Sequence, residues 1–596
     1  MKLGKLFLAF FWAFFGLLIA PPNSIAGENS FVTIVNPVRI SYYTKDIKNN
    51  LEVQYSVISK SKLSATWLFT YDALVKEGTI EAVKKMKNQE FGLFLEVTSG
   101  FSQAAGVEYH ETGSWHFANA IFLSGYTQDE RKLLIDKLYG TFKEKFGYYP
   151  VSVGSWWSDS FSLSYIKEKY GLEANLTVSD QFSTDNYQVW GQYWSTPFYP
   201  SKYHTGVPAS DTSVKLDIVN FQWASRDPIN GYKSSLYSTQ DYFVLKEKQD
   251  VFYFEKLIQL YSTGNENQFG QVTVGLESDL APESYTGEFA KQIEIVAKMK
   301  DEEDIEVLTM KDFSKWYKKT FPNLSPEHEV ETEDLLGENK KVVWYQSPFY
   351  RIGISTDNEK QEKKIFDFRV YNKNMSEPYY FSPNRERDLS IYIPSILDEV
   401  NNENDVLILP YDSEITFNNK QIKIKAKNLS TYNVFRKHPS IKVARDKNEM
   451  TVSILDKWIS PKDGIVFKWL SIEGIHFFKQ LKFPLYLLKG IGWENFNLTK
   501  YFVSQEELTA LYKLSTLSEG KVLVYDKECF QCSWHTPEKP AVFSNLRGYV
   551  RKYGKHPIVY DSKVIDAKTR DEAREVLSKL GVKYFYLTKY EDYVEK

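Results

Sequence analysis

Acid–base bond cleavage by paired carboxyl groups needs one of them protonated to donate to a leaving group and the other ionised as nucleophile or as base for water. Four acids stand where such work could be done. Glu96 closes the run Phe91-Gly92-Leu93-Phe94-Leu95, and Glu277 follows Val272, Val274 and Leu276 in the same way. Asp279 lies two residues beyond Glu277, and Asp159 ends the loop Gly154-Ser155-Trp156-Trp157-Ser158-Asp159. An acid at the end of a strand buried on both faces is costly unless it emerges into a cleft. An apolar wall there raises its pKa and favours the protonated form. Glu96 and Glu277 are therefore the central candidate acids, with Asp159 or Asp279 as the alternative partner. The rival reading is that Glu96 and Glu277 pair with buried Arg or Lys and bridge strands.

Candidate substrate-binding residues surround them. Trp156 and Trp157 make a stacking platform beside an acid, and of two adjacent loop residues one is expected in the core and the other in the cleft. Asp180, His116 and Trp194 complete the set; Trp194 belongs to the aromatic-rich stretch 188–204, which reads as a long loop over a site. No histidine pair at metal-ligand spacing accompanies them, so no metal or cofactor is expected. No Gly-x-Ser-x-Gly elbow is present either. Cys529 and Cys532, in CFQC, read as a short-loop disulfide or two thiols.

The elements that must position these residues alternate in type. A strand at Phe31–Val35, a helix near Leu51–Ser59, a strand at Ala65–Thr70, a helix at Ile80–Lys87 and the Glu96 strand form a run of βα units, which implies a parallel sheet. The order and wording resemble the polysaccharide deacetylase superfamily and the glycoside hydrolases that share its incomplete (β/α) barrel. ATWLFTYDAL (Ala65–Leu74) resembles the second strand of that family, and SVGSWWSDSFSLSYIKEKYG (Ser152–Gly171) its arginine/proline-rich loop and following helix. VTVGLESD (Val272–Asp279) and IEVLTMKDFSKW (Ile305–Trp316) resemble its closing strands. The resemblance covers about residues 31 to 320 and implies a (β/α)7-type barrel acting on a polysaccharide. The family's metal-ligand motifs are not retained. Asn36 and Pro37 occupy the place of its paired aspartates, Leu93, Phe94 and Val97 fill its histidine segment, and Glu277 stands in place of a later histidine. Metal-independent glycoside hydrolysis fits these residues better than deacetylation.

The expected architecture is multidomain α/β plus β: a signal peptide at 1–26, the barrel at 27–325, a linker at 326–340, a β-rich sandwich-like domain at 341–500 and a small α/β domain at 501–596. The signal peptide is read from Lys2 and Lys5, the apolar run Leu6–Ala20, which is short of the about 20 residues of a membrane span, and Ser24-Ile25-Ala26. The sandwich is read from the alternating runs VVWY, IFDFRVY, LSIYIP, QIKIKAK, MTVSIL and GIVFKWL. In the last segment a capping box at Ser504 and Glu507 precedes a helix, then KVLVYD, a helix at Arg570–Leu580 and VKYFYLTK. With Leu546-Arg547-Gly548, that order weakly resembles the soluble domains of membrane glycosyltransferases that use lipid-linked sugars. A net charge of −3 with interspersed Lys and Glu excludes a basic stripe, so nucleic acid is not an expected partner. The expected partner is a polysaccharide or glycan, outside the cytoplasm. The alternatives are a non-catalytic barrel that binds glycan or a cell-envelope protein, or an accessory subunit in envelope glycan assembly.

Overall fold

Seven short runs of β-branched and aromatic residues form parallel strands: β1 Ser30–Val38, β2 Thr66–Phe69, β3 Glu90–Phe94, β4 Ser152–Gly154, β5 Ala174–Val178, β6 Val219–Trp223 and β7 Gly270–Val274. They pair in the order β6-β5-β4-β3-β2-β1-β7, with the two-residue β8, Glu306–Val307, beside the start of β1. The ends β6 and β7 approach each other without pairing, so the barrel is nearly closed. The computed structural model describes residues 29–455, except 111–115, 186, 235, 241–249, 264–266, 374, 381–382, 436–437 and 439, together with three strands beyond.

Period-two alternation sorts each strand's side chains between two layers. Along β1, Phe31 and Val35 point into the barrel with Leu68, Phe94, Leu176 and Phe221, whereas Val32 and Ile34 pack outward with Leu51, Ile58, Ile293 and Val296 of the surrounding helices. The helix Met310–Thr320 sends Met310, Phe313 and Tyr317 into the inner layer at the strands' N-terminal end. Glu90, at the start of β3, accepts a hydrogen bond from the Lys311 amide at 3.0 Å, so an acid caps that helix's N-terminus. The opposite, C-terminal end of the strands is left open for loops, the end where parallel barrels carry their chemistry.

Between β5 and β6 the chain makes an antiparallel ribbon, Gln181–Thr184 with Tyr187–Trp190. Leu389–Tyr392, expected in the sandwich from its alternation, instead joins this ribbon in parallel. The later strands build two antiparallel sheets. One contains His328–Glu333, Lys340–Ser347, Tyr350–Asp357, Glu362–Val370, Leu397–Asp398 and Leu407–Leu409; the other contains Glu414–Asn418, Gln421–Lys425, Ile441–Arg445 and Glu449–Ile454. Ile352, Phe368, Ile422 and Val452 pack between them. The other face of the first sheet packs Trp344 and Phe366 against the barrel side. The expected linker is thus partly a strand: His328–Glu333 is the sheet's edge, pairing with Lys340–Ser347. Acidic residues there alternate with Val330 and His328, so a charged edge strand mimics linker composition.

Further on, Lys521–Tyr525 lies between Ile558–Val559 and Val582–Leu587 in a parallel sheet. The expected signal peptide, GIVFKWL, the Ser504 helix, CFQC and the Arg570–Leu580 helix lie outside the described residues. Among the described residues no helix is long and apolar enough to cross a membrane.

Candidate active site

The residue after β1 organises the open end of the barrel. The buried guanidinium of Arg39 grips Glu96 with two hydrogen bonds, Nε to Oε2 at 2.6 Å and Nη2 to Oε1 at 3.1 Å. Its Nη1 lies 3.7 Å from Oδ2 of Asp279. The Trp156 ring sits 5.7 Å from the guanidinium carbon, within cation–π range; it meets Phe94 edge-to-face and lies tilted beside Trp223. Strands β1, β3, β4 and β7 therefore converge on a single cation. Such a bidentate pair, taken out of water, is strong in geometry and costly to break on one side only.

Glu277 is the acid left loose. Among the described residues no cation lies within 4 Å of its carboxyl. It is half-buried, and its carboxyl is pushed up to about 7 by burial first and by the charge of Asp279 second, against a smaller pull from Arg39. Its loop is held from both sides. Asn36 Oδ1 accepts from the Leu276 amide at 3.3 Å and from Gln54 Nε2 at 3.0 Å; Gln54 Nε2 also donates to the Leu276 carbonyl at 2.8 Å. Ser278 Oγ donates to Gln54 Oε1 at 2.8 Å, and Asn50 Nδ2 donates to the carbonyls of Ser278 and Leu280. Gly275, at φ +147°, passes so close to β1 that an added Cβ would stand 1.7 Å from the Val35 carbonyl oxygen, so only glycine admits this turn.

Around the acids, Asp72 is pushed up by burial, partly offset by a hydrogen bond with Thr98 and reinforced by the charge of Glu96. The phenols of Tyr109 and Tyr187 are pushed up by burial, with Glu96 adding to both. Tyr187 donates to the His116 carbonyl at 2.8 Å. The segment after Phe117 bridges Glu96 through Phe122, which brings the His116 loop to the same rim. His116 itself packs edge-on to Phe117.

The remaining expected site residues lie elsewhere. Asp159 is fully buried as the N-cap of helix Ser160–Tyr170, accepting from the Ser162 amide and hydroxyl, and pairs with Arg131 at 2.8 Å. Asp180 accepts from the amides of Gly191 and Gln192 and pairs with Arg351 of the first antiparallel sheet at 2.6 Å. Arg351 and Arg369 continue this buried chain to Asp367 and Asp398. Trp194 is fully buried and stacks on Trp344 at 4.2 Å, with Nε1 donating to the Tyr261 hydroxyl at 2.9 Å. Asp180 and Trp194 thus join barrel to sheet rather than face a cleft. Trp157 is buried near His204, while its neighbour Trp156 reaches Arg39. Arg39 was not singled out in the sequence; its only signal is a basic residue directly after a strand of nine wholly buried residues. Glu377, also not singled out, accepts from the Ser160 and Thr205 amides, and burial and the charge of Asp159 push its carboxyl up.

The resemblance to a metal-dependent family raises the question of a metal here. The donor set does not fit one: Asn36 is occupied with Gln54 and Leu276, and Glu96 and Asp279 already face the guanidinium of Arg39. Among the described residues no cluster of three His, Cys, Asp or Glu could hold an ion.

No protein-family model matches the chain, and no curated protein matches it significantly. Solved structures do. A protein of Parabacteroides distasonis assigned as a glycoside hydrolase/deacetylase matches with a TM-score of 0.45 and 17% identity, over 62% of this chain and 92% of its own. One from Mycobacterium smegmatis assigned as a polysaccharide deacetylase gives 0.33 and 13%, over 50% of this chain and 94% of its own. The α-amylase AmyC from Thermotoga maritima gives 0.29 and 9%, over 48% and 74%. The incomplete (β/α) barrel of this chain is read from its strand order, β6-β5-β4-β3-β2-β1-β7.

Proposed function

We propose that this protein is an exported carbohydrate-active hydrolase that cuts an envelope or extracellular glycan at the Arg39–Glu277 cluster. The observation that carries the reading is the unequal treatment of the acids at one barrel mouth. Arg39 holds Glu96 with two hydrogen bonds and reaches towards Asp279, while Glu277 has no ion-pair partner among the described residues. A carboxyl that keeps its proton beside others that face a fixed cation is the equipment of acid–base bond cleavage. Glu277, protonated near neutrality, donates its proton to the glycosidic oxygen as the C1–O bond breaks. Asp279 takes the proton from the water that attacks C1, and the anomeric carbon gains the new oxygen. Glu96 positions Arg39, and Trp156 offers a ring face to the sugar. Export rests on the N-terminal sequence pattern alone.

A second reading is a barrel that binds glycan without cutting it, favoured by the bidentate neutralisation of Glu96. One experiment separates the two. The purified chain and its Glu277→Gln variant are incubated with cell-wall and storage glycans, and new reducing ends and free acetate are scored separately. Reducing ends that vanish in the variant support hydrolysis. Binding without either product supports the second reading, and acetate alone returns the chain to deacetylation.

A further inference from the structure

The loop between β1 and the helix Ile47–Lys60 leaves Arg39 and runs along the rim of the barrel mouth. It exposes two adjacent tyrosines. Tyr42 is 77% exposed, more than any other large hydrophobic side chain among the described residues, and Tyr43 is 52% exposed. Their ring centroids lie 3.8 Å apart, inclined by 38°, so the rings lie face over face and each keeps its outer face open. Packing does not explain them, because neither belongs to a core cluster.

The backbone beneath them is firmly held. Thr44 N–H donates to the Ser41 carbonyl at 3.1 Å, and Ser41 N–H donates to Thr44 Oγ1 at 3.0 Å. The Tyr43 amide donates to Ser41 Oγ at 3.2 Å, and the Thr44 hydroxyl donates to the carbonyl of Asp279 at 3.4 Å. The loop is therefore fastened to the same residue whose carboxylate faces Arg39. Rigid aromatic rings on a fixed loop lose little conformational entropy on binding. Position separates this pair from the other adjacent exposed pair, Tyr148 and Tyr149. Those rings precede β4, at the barrel end away from the acids.

We propose that Tyr42 and Tyr43 form an outlying sugar subsite, stacking on the apolar C–H face of a ring of an extended glycan away from the bond at Glu277. The inference rests on the glycan reading of the Arg39–Glu277 site. It adds that the substrate is a chain long enough to cover both the mouth and the β1 loop, not a disaccharide. Stacking needs the ring faces, so Phe serves at both positions and Ala does not.

The test uses the full chain carrying Glu277→Gln, so that binding is read without turnover. Calorimetric titrations are run with the disaccharides and hexasaccharides of β-1,4-glucose, β-1,4-N-acetylglucosamine and α-1,4-glucose. Adding Tyr42→Ala and Tyr43→Ala is expected to weaken binding of the preferred hexasaccharide about tenfold, equivalent to roughly 1.4 kcal/mol. Disaccharide binding and thermal unfolding stay unchanged, and the paired Phe variant binds like the parent. If the parent binds a hexasaccharide and the Ala pair binds it equally well, the subsite is refuted while the mouth reading stands. If disaccharide and hexasaccharide binding fall together, the rings belong to the central site and the outlying subsite is refuted. If the parent binds none of the saccharides, the glycan reading falls and takes the subsite with it.

Discussion

Replacing Glu277 by Gln keeps the shape of the side chain and removes its titration. Burial and the charge of Asp279 raise that carboxyl from the ordinary 4.5 to about 7. A carboxyl that holds its proton more tightly folded than unfolded makes acid favour the native state. Its destabilising effect is absent below about pH 4.5, grows up to about pH 7 and is complete above that. The gap from 4.5 to about 7, at roughly 1.36 kcal/mol per pH unit, amounts to about 3 kcal/mol as an upper figure, because water reaches the half-buried side chain. Glu277→Gln is therefore expected to be more stable than the parent at pH 8.5, by about 2–3 kcal/mol, and equal to it at pH 4.5. Urea unfolding at the two pH values, followed by tryptophan fluorescence of the full chain, reads the difference. Curves that coincide at pH 8.5, or that differ equally at both pH values, would refute the account of this carboxyl. The same variant should lose about 10²–10⁴-fold in hydrolysis, since Gln has no proton to give. A variant gaining stability while losing activity would mark a group strained for its task.

Arg39→Met should destabilise the barrel by about 3–5 kcal/mol at neutral pH, because it leaves Glu96 buried with no counter-charge; an unchanged thermal unfolding temperature would contradict the pairing. The same variant should push the Glu277 carboxyl above about 7, since Arg39 now pulls it down, and carboxyl titration by NMR would show the rise or its absence. Trp194→Ala should cost about 3–5 kcal/mol, as a buried ring stacked on Trp344 is lost, whereas Trp156→Ala should weaken saccharide binding at a smaller stability cost; the opposite ranking in paired unfolding and binding measurements would overturn the two placements. Arg351→Met leaves Asp180 and Asp367 buried and should lower the unfolding temperature; limited proteolysis between barrel and first antiparallel sheet should quicken with it.

Much of the barrel was legible because the strands at Phe31–Val35, Ala65–Thr70 and Phe91–Leu95 are short, largely apolar runs that only a sheet covered on both faces can bury, and because helices separate them; β6 was not, since a ribbon and short strands rather than a helix join it to β5. That Glu96 and Glu277 sit after such strands was legible for the same reason. Their partners were not. The cation that neutralises Glu96 lies 57 residues earlier, and Asp180 meets Arg351 across 171 residues. Periodicity fixes which face a side chain takes on its own element and carries no information about what faces it from another. Leu389–Tyr392 shows the limit from another side: its alternation marks a strand, but joining the ribbon at Tyr187–Trp190 is decided by long-range packing. Trp194 lies in an aromatic-rich stretch that reads as a loop over a cleft, and Asp180 follows β5 where a strand-end acid would face one, yet the first antiparallel sheet covers both. Burial by a later domain is invisible in local composition. Asn36 illustrates the converse, since its amide type excluded a carboxylate role and its position at the end of β1 placed it beside the Glu277 loop.

The most direct test of Glu277 as the acid is the pH dependence of reducing-end formation on the glycan that the chain cuts. kcat/KM is expected to fall as pH rises through about 7, following loss of the Glu277 proton, and the low residual rate of Glu277→Gln to show no such limb. A rate that climbs through pH 7, or a variant that keeps both the rate and the alkaline limb of the parent, would contradict it.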